Sequence, residues 1–383
     1  MNKLSLTNFP VTLYIFADEG LLYHHVSTEL NTVSGTTIWL ILSLDEDNDV
    51  NSLSLAFSRR TGKSLSEASR DVARVHACLS DHTLGKTYRD SQYPELNQAP
   101  KTSTSNSFCI SVAETNFSIT TPNIEMLTDL KELLKPIVIG DSPASFSFQI
   151  VFNKPGCDLI VNNELVESVE NYNHLIPVVI DRIQVLAYQV QKYSFCFHGA
   201  ALQAEQGLLL LPGSSGAGKS TLAALMSAQG VPLYSDEMIA FDSCFNVIPI
   251  TLPIALKSGS WTLMQPYFPM LEKAAIWERI DGRKLKYVWP QKFASKSTSR
   301  TARMIVNPNY HQNTGLDGKP FDSTCKLSLV ETLSMFTQSG YQAGVETNRE
   351  TIEKLLHYVE NSNRFSLHYG VQHQPDKIIK ALW

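Results

Sequence analysis

The spacing of apolar positions changes period early in the chain. Residues 11–16 and 21–26 are runs of strand-forming, largely apolar residues around Ala17-Asp18-Glu19-Gly20, which predicts a β-hairpin with a short loop. The period then becomes helical. Residues 36–44 read as a short apolar helix, Leu53 and Phe57 lie four apart within 50–60, and Ala68, Val72, Val75 and Leu79 line one face of a helix capped by Ser66. A hairpin followed by three helices outlines a winged-helix-like module over residues 1–83.

Apolar patterning then lapses. Residues 84–107 include Pro94, Pro100 and the run Lys101-Thr-Ser-Thr-Ser-Asn-Ser107, with no apolar face to bury, and are expected to be a linker. Residues 108–112 and 116–119 predict a second hairpin, 126–134 a helix, and 146–152 and 159–161 further strands. An amphipathic helix over about 176–191 tolerates Pro177 in its first turn. The region 108–192 is therefore expected to be an accessory α+β part. From 193 onward, helices are expected near 328–338, 349–360 and 376–382 and a strand at 365–369, with Met335, Phe336 and Tyr358 as core.

Composition narrows the field of functions. A chain of 383 residues with 43% hydrophobic and 18% charged residues is expected to form two or three globular domains. Its 32 basic and 37 acidic side chains give a net charge of −5, which argues against a broad nucleic-acid or anionic-membrane footprint. The most apolar run, at 38–44, is far too short to span a bilayer. The first residues lack the apolar core of a secretory signal, so a cytoplasmic location is expected. Cys78, Cys109, Cys157, Cys196, Cys244 and Cys325 are too far apart for a zinc or redox motif and are expected to be reduced and buried singly.

The chemistry is concentrated in one segment. The apolar strand 208–211 is followed by Gly213-Ser214-Ser215-Gly216-Ala217-Gly218-Lys219-Ser220 and a helical stretch from Thr221 to Gln229. This is the G-x-x-x-x-G-K-[ST] pattern between strand and helix that marks a phosphate-binding loop. Average residue usage makes the pattern a roughly one-in-a-hundred accident in such a chain. The glycines let backbone N–H groups turn around phosphate oxygens, and the new helix adds its positive end. Lys219 supplies a cation for the β and γ phosphates, and the Ser220 hydroxyl is suited to Mg²⁺. Strand 231–235 ends in Asp236-Glu237, placed to reach a metal and the reacting phosphate; the alternative is that both merely begin a solvated loop. The preceding strand, 195–202, carries His198. At the mouth of the site it could orient an acid, meet a phosphate or act as a base, although a lone histidine in an apolar strand is more often a satisfied core residue.

Together His198-Gly199-Ala200-Ala201, the loop Pro212 to Thr221 and Tyr234-Ser235-Asp236-Glu237 resemble the kinase core of HPr kinase/phosphorylase and its related small kinases, over about residues 105–383. The resemblance implies an α/β and α+β multidomain chain whose phosphate-loop core, residues 193–383, is similar to that of phosphoenolpyruvate carboxykinase. It implies metal-binding and proton-transfer roles for His198, Asp236 and Glu237. That family has two aspartates where this chain has Asp236 and Glu237, and the segment that marks true HPr kinases is not recognised. The run Pro249 to Lys257 looks more like the HPr-kinase-related group and makes Lys257 a candidate phosphate contact. Residues 1–83 resemble PqqD-like modules, through Glu29 to Leu40; such modules capture a precursor peptide along the hairpin edge.

The expected function is an ATP- and Mg²⁺-dependent kinase acting on a hydroxyl of a peptide, protein or small molecule chosen with help from the N-terminal module. Gly213, Ser214, Ser215, Gly216, Ala217, Gly218, Lys219, Ser220 and Thr221 would hold ATP, and Ser220, Asp236 and Glu237 the metal. Asp236, His198 and Lys219 would carry catalysis. Arg279, Arg283, Arg300 and Arg303 are all candidates for stabilising transferred charge. The alternatives are a non-catalytic, nucleotide-gated peptide- or DNA-binding regulator and a DNA-binding regulator, with the N-terminal module alone also open to a winged-helix fold used for dimer contacts or DNA. Homo-oligomerisation is compatible with all of them.

Overall fold

The structure is a computed structural model that describes residues 2–46, 49–80, 106–153, 156–204, 207–294, 302–311, 324–340, 342–344 and 347–370. Most of the expected linker, the expected helix at 376–382 and Arg300 lie outside the described residues. The chain is mixed α/β and α+β, with four sheets among the described residues.

Strands β1 (Asn2–Ser5), β2 (Val11–Phe16), β3 (Glu19–His24) and β4 (Leu30–Ser34) form an antiparallel sheet in that order. The expected hairpin is thus the centre of a larger sheet. Strand β1 escapes sequence reading because all four of its residues are exposed, leaving no alternation to detect. The turn is tighter than expected: Phe16 pairs with Glu19, and Ala17 takes a left-handed φ of 57°. Helices α1 (Gly35–Asp45), α2 (Val50–Thr61) and α3 (Leu65–Ser80) follow. Ser34 and Asp49 cap the first two by accepting from the N–H of Thr37 and Ser52. The third is capped two residues before the expected position. Ser64, not Ser66, accepts from the N–H of Glu67 while the Glu67 carboxylate accepts from that of Ser64, a reciprocal capping box.

The two faces of this sheet do different work. Val11, Leu13 and Leu22 pack with Ile41, Phe57 and Val72 of the three helices, whereas Tyr14, Leu21 and Tyr23 pack into a second core with Phe197, Phe336 and Leu356. The strand period of two divides one sheet between both cores.

Next, β5 (Ser107–Val112), β6 (Thr115–Thr120), α4 (Ile124–Leu133), β7 (Val138–Ile139), β8 (Phe146–Asn153), β9 (Gly156–Val161) and β10 (Glu164–Val169) build a six-stranded sheet ordered β10-β9-β8-β6-β5-β7. Helix α5 (Leu175–Val190) is buried through Leu175, Ile176, Val179, Ile183 and Ala187 in the same core as this sheet.

The C-terminal part comprises β11 (Phe195–Ala204), β12 (Gly207–Pro212), α6 (Lys219–Ala228), β13 (Leu233–Ser235), β14 (Met238–Phe241), β15 (Ile254–Lys257) and α7 (Trp261–Met264). It continues through β16 (Trp277–Glu278), β17 (Lys284–Val288), β18 (Ala302–His311), β19 (Thr324–Lys326), α8 (Leu329–Gln338), β20 (Gln342–Ala343), α9 (Arg349–Glu360) and β21 (Asn363–Gly370). Its main sheet runs β13-β11-β12-β18-β21-β19, with β14 and β20 also paired to β11. Strands β12, β18 and β21 are parallel, and β11 is antiparallel to β12. Every residue of β12 is buried, as expected for a central strand covered on both faces. Leu222, Leu225 and Met226 of α6 cover one side; Leu333, Phe336 and Leu355 of α8 and α9 cover the other. Strands β15, β17 and β16 form a small separate sheet.

None of the six cysteines is in a disulfide, and only Cys157 and Cys196 are buried. Cys109 is half-buried and Cys78, Cys244 and Cys325 are exposed, so the expectation of general burial is corrected. Met335 is half-buried rather than core. Among the described residues no helix is long and apolar enough to cross a membrane.

Candidate functional site

Strand β12 ends at Pro212, and the chain passes through Gly213, Ser214, Ser215, Gly216, Ala217 and Gly218 into α6. The helix begins at Lys219, two residues before the sequence suggested, so Lys219, Ser220 and Thr221 form its first turn. Gly213, Gly216 and Gly218 have φ of 145°, 91° and 93°. Gly218 is doubly constrained, because a Cβ there would lie 2.4 Å from the Tyr369 hydroxyl and 2.8 Å from Tyr310 Cβ. That Tyr369 hydroxyl donates to the Gly218 carbonyl at 2.8 Å, and the Tyr310 N–H donates to that of Ala217 at 3.2 Å. Strands β18 and β21 therefore buttress the loop from behind.

No side chain caps α6, whose N-cap is Gly218, so its first-turn N–H groups are available to an anion. Lys219 is only 5% exposed, and its Nζ donates to the carbonyls of Gly213 and Ser214, both at 2.9 Å. Burial lowers the Lys219 pKa, while Glu237 and Asp236 pull it back up.

The acids are placed by β11. Both β13 and β14 pair antiparallel with it, Ser235 opposite Ala201 and Met238 opposite His198, so the Asp236-Glu237 corner projects beside His198. His198 Nδ1 lies 3.3 Å from Glu237 Oε2. Burial holds the His198 pKa below its usual value despite the opposing pull of Glu237. The Gly199 N–H donates to the Glu237 carbonyl at 3.1 Å. Glu237 itself has a φ of 74°, a left-handed conformation that costs a non-glycine residue about 1–3 kcal/mol and gathers at functional sites.

Asp236 is the most unusual group. Both carboxylate oxygens are buried and have no hydrogen-bond partner. Burial and the neighbouring Glu237 raise its pKa to about 7; Ser220 is near enough to oppose that rise without making a well-formed hydrogen bond. Its backbone carbonyl accepts from Gln184 Nε2 of α5 at 3.1 Å, and the Tyr188 hydroxyl holds the Met238 carbonyl at 2.5 Å.

Two clefts meet at Glu237. The larger, about 160 Å³, is lined by His198, Lys219, Ser220, Glu237, Lys257 and Tyr310 among others. The smaller, about 40 Å³, is lined by Asp236 and Glu237 with Asp181, Gln184, Arg279 and Tyr287. Glu237 and Ala255 form the wall common to both. Asp181 is exposed, yet the protein packed around it raises its pKa through desolvation.

The structure thus brings His198, Asp236 and Glu237 together beside the loop, and adds Lys257. It separates the arginines: Arg279 lines the smaller cleft, and Arg283 Nη1 lies 3.4 Å from Ser215 Oγ. Asp181, Gln184, Tyr310 and Tyr369 were not anticipated. Asp181 and Gln184 carried a usable signal, two polar residues three apart within an apolar helix; the tyrosines, in apolar strands, carried none.

Among the described residues no group of three or more His, Cys, Asp or Glu side chains is arranged to hold a metal. A Mg²⁺ ion needs fewer protein ligands, since it keeps waters and takes phosphate oxygens. Ser220, Glu237 and the unpartnered Asp236 carboxylate fit that requirement. No family model matches the chain, and no curated protein is significantly similar to it.

Proposed function

We propose that the protein is an ATP-dependent kinase of the HPr-kinase-related type, transferring the γ-phosphoryl group to a hydroxyl. The observation that carries this reading is the sealed, unpartnered Asp236 carboxylate, with its pKa near neutrality, in a small cleft that shares the Glu237 and Ala255 wall with the Lys219 loop cleft. A carboxylate desolvated at this cost favours a proton-accepting or metal-binding role.

In this reading the loop N–H groups and Lys219 bind the triphosphate. Lys219 gives up its two loop carbonyls to do so. Ser220 with Asp236 or Glu237 holds Mg²⁺, which when bound neutralises phosphate charge. Asp236 takes the proton of the acceptor hydroxyl, and His198 fixes the Glu237 carboxylate beside it. Transfer depends mainly on positioning and charge neutralisation, which these few residues supply.

The N-terminal part supports a polypeptide acceptor. The sheet followed by three helices is consistent with a PqqD-like, winged-helix-like module, and β4 is the edge of its sheet. On one side of that edge is a groove of about 590 Å³ against α1 and α3; on the other is one of about 310 Å³ against α8. An extended peptide added to β4 would place alternate side chains in the two grooves.

The test combines MgATP binding with phosphotransfer to peptides or proteins. Lys219→Ala is expected to abolish nucleotide binding, while Asp236→Asn retains it and loses transfer by at least about a hundredfold. Transfer undiminished in Asp236→Asn would refute the catalytic assignment. Binding without any transfer by the unaltered protein would favour a nucleotide-gated regulator.

A further inference from the structure

The hairpin between β16 and β17 has an arrangement that packing alone does not explain. Trp277 pairs with Leu285 and Glu278 with Lys284. The next pair brings Arg279 opposite Arg283, with the Arg279 N–H donating to the Arg283 carbonyl at 2.9 Å. Two like charges directly opposite one another in a hairpin are destabilising. Asp281, in the three-residue turn between them, compensates. It accepts from Arg283 Nε at 2.8 Å and from Arg283 Nη2, and lies 3.7 Å from Arg279 Nε. Gly282, at φ 81°, supplies the left-handed residue that such a turn requires. One carboxylate between two guanidinium groups still leaves a positive tip.

The hairpin is fixed at its root and open at its tip. Trp277 and Leu285 are buried in the core, whereas Ile280 is 64% exposed. From this rooted position the two arginines diverge: Arg279 lines the small cleft with Asp236, and Arg283 reaches across to Ser215 in the glycine-rich loop.

We propose that Arg283, held by the positioning residue Asp281, is the cation that neutralises the phosphoryl group during transfer. This rests on the kinase reading above and names a further residue for it. Arg283 is suited to the task because its planar fork can grip two phosphate oxygens, whereas the nearby Lys257 offers a single point charge. Hydrogen bonding to Arg283 holds the Asp281 pKa down at about 2, so the latch stays ionised throughout the working pH range. Phosphate oxygens arriving over Ser215 would meet an arginine already presented there. No covalent step involves Arg283; it stabilises charge while the bond to the leaving phosphate breaks and the bond to the acceptor oxygen forms.

The test uses the full chain and needs no identified acceptor. Binding of MgADP alone is compared with binding of MgADP plus aluminium fluoride, a mimic of the transferred phosphoryl group. The unaltered protein is expected to prefer the mimic; Arg283→Ala should bind MgADP within about twofold of it and lose at least about tenfold in affinity for the mimic. Arg283→Lys should recover only part of the loss, and Asp281→Asn should lose less than Arg283→Ala. Equal melting temperatures would show that these exposed substitutions leave folding intact. If Arg283→Ala binds the mimic as tightly as the unaltered protein, or the unaltered protein shows no preference for it, this inference is overturned while Lys219-dependent MgADP binding still upholds the nucleotide site. If Lys219→Ala binds MgADP normally, the kinase reading falls and takes this inference with it.

Discussion

At the scale of single residues, Asp236 couples chemistry to stability. Its folded pKa of about 7 stands above the ordinary value of 3.8. Below the ordinary value the carboxyl is neutral whether the chain is folded or not, and its contribution to stability is fully present. As pH rises from there through about 7 the unfolded chain gives up the proton first, so that stability is lost. Asp236→Asn cannot ionise and escapes the loss. In the absence of nucleotide and metal it should melt several degrees above the unaltered protein at pH 8, with the gap closing toward pH 4, as differential scanning calorimetry would register. A gap that widened toward acid would contradict the assignment. Gly218 makes a complementary case. Gly218→Ala must accommodate both a left-handed φ of 93° and a contact 2.4 Å from the Tyr369 hydroxyl. It should cost about 2–4 kcal/mol in denaturant unfolding and disable nucleotide binding, whereas Gly216→Ala, with nothing within 4 Å, should cost less.

At the scale of elements, legibility followed the strength of local signals. Strand β12, the glycine-rich loop and α6 were readable because an apolar run, a motif and a helical pattern adjoin one another. Helix α9 was anticipated at its observed bounds, Arg349–Glu360, because its apolar stripe is strong and Asn348 caps it. The two-residue strands β16 and β20 have too few residues to show any period, and the placement of Arg283 is a product of that hairpin's register. The proximity of His198 to Glu237 was likewise only suggested by sequence order; the pairing of β13 and β14 along β11 creates it. The edge strand β4 carries a prediction of its own. Thr32 faces α8, its hydroxyl 3.5 Å from that of Ser334. Thr32→Glu should raise the KM for a peptide acceptor about tenfold and leave the KM for ATP unchanged, a split that steady-state kinetics would resolve. Loss of ATP affinity instead would count against a separate acceptor groove.

At the scale of the whole molecule, the N-terminal sheet and the C-terminal sheet share a hydrophobic core. Tyr14, Leu21 and Tyr23 lie in it beside Phe197, Phe241 and Phe336. Lys3 adds an ion pair with Glu353 of α9. Sequence patterning could show that the strands were apolar but not that one sheet would serve two cores. Leu21 is fully buried, and Leu21→Ala should destabilise by about 2–4 kcal/mol. Because the core is joint, the loss should lower the unfolding transition reported from the N-terminal sheet and from the nucleotide site together; two separate transitions, only one of them shifted, would show the parts to be independent.

The central claim is that the loop cleft binds ATP through Lys219 and that Asp236, in the adjoining small cleft, assists transfer of its phosphoryl group. The most direct measurement follows label from γ-labelled ATP into an added peptide or protein acceptor, using the unaltered chain and Asp236→Asn at matched nucleotide occupancy. The account predicts labelled acceptor with the former and at least about a hundredfold less with the latter. Equal labelling by the two proteins would contradict it.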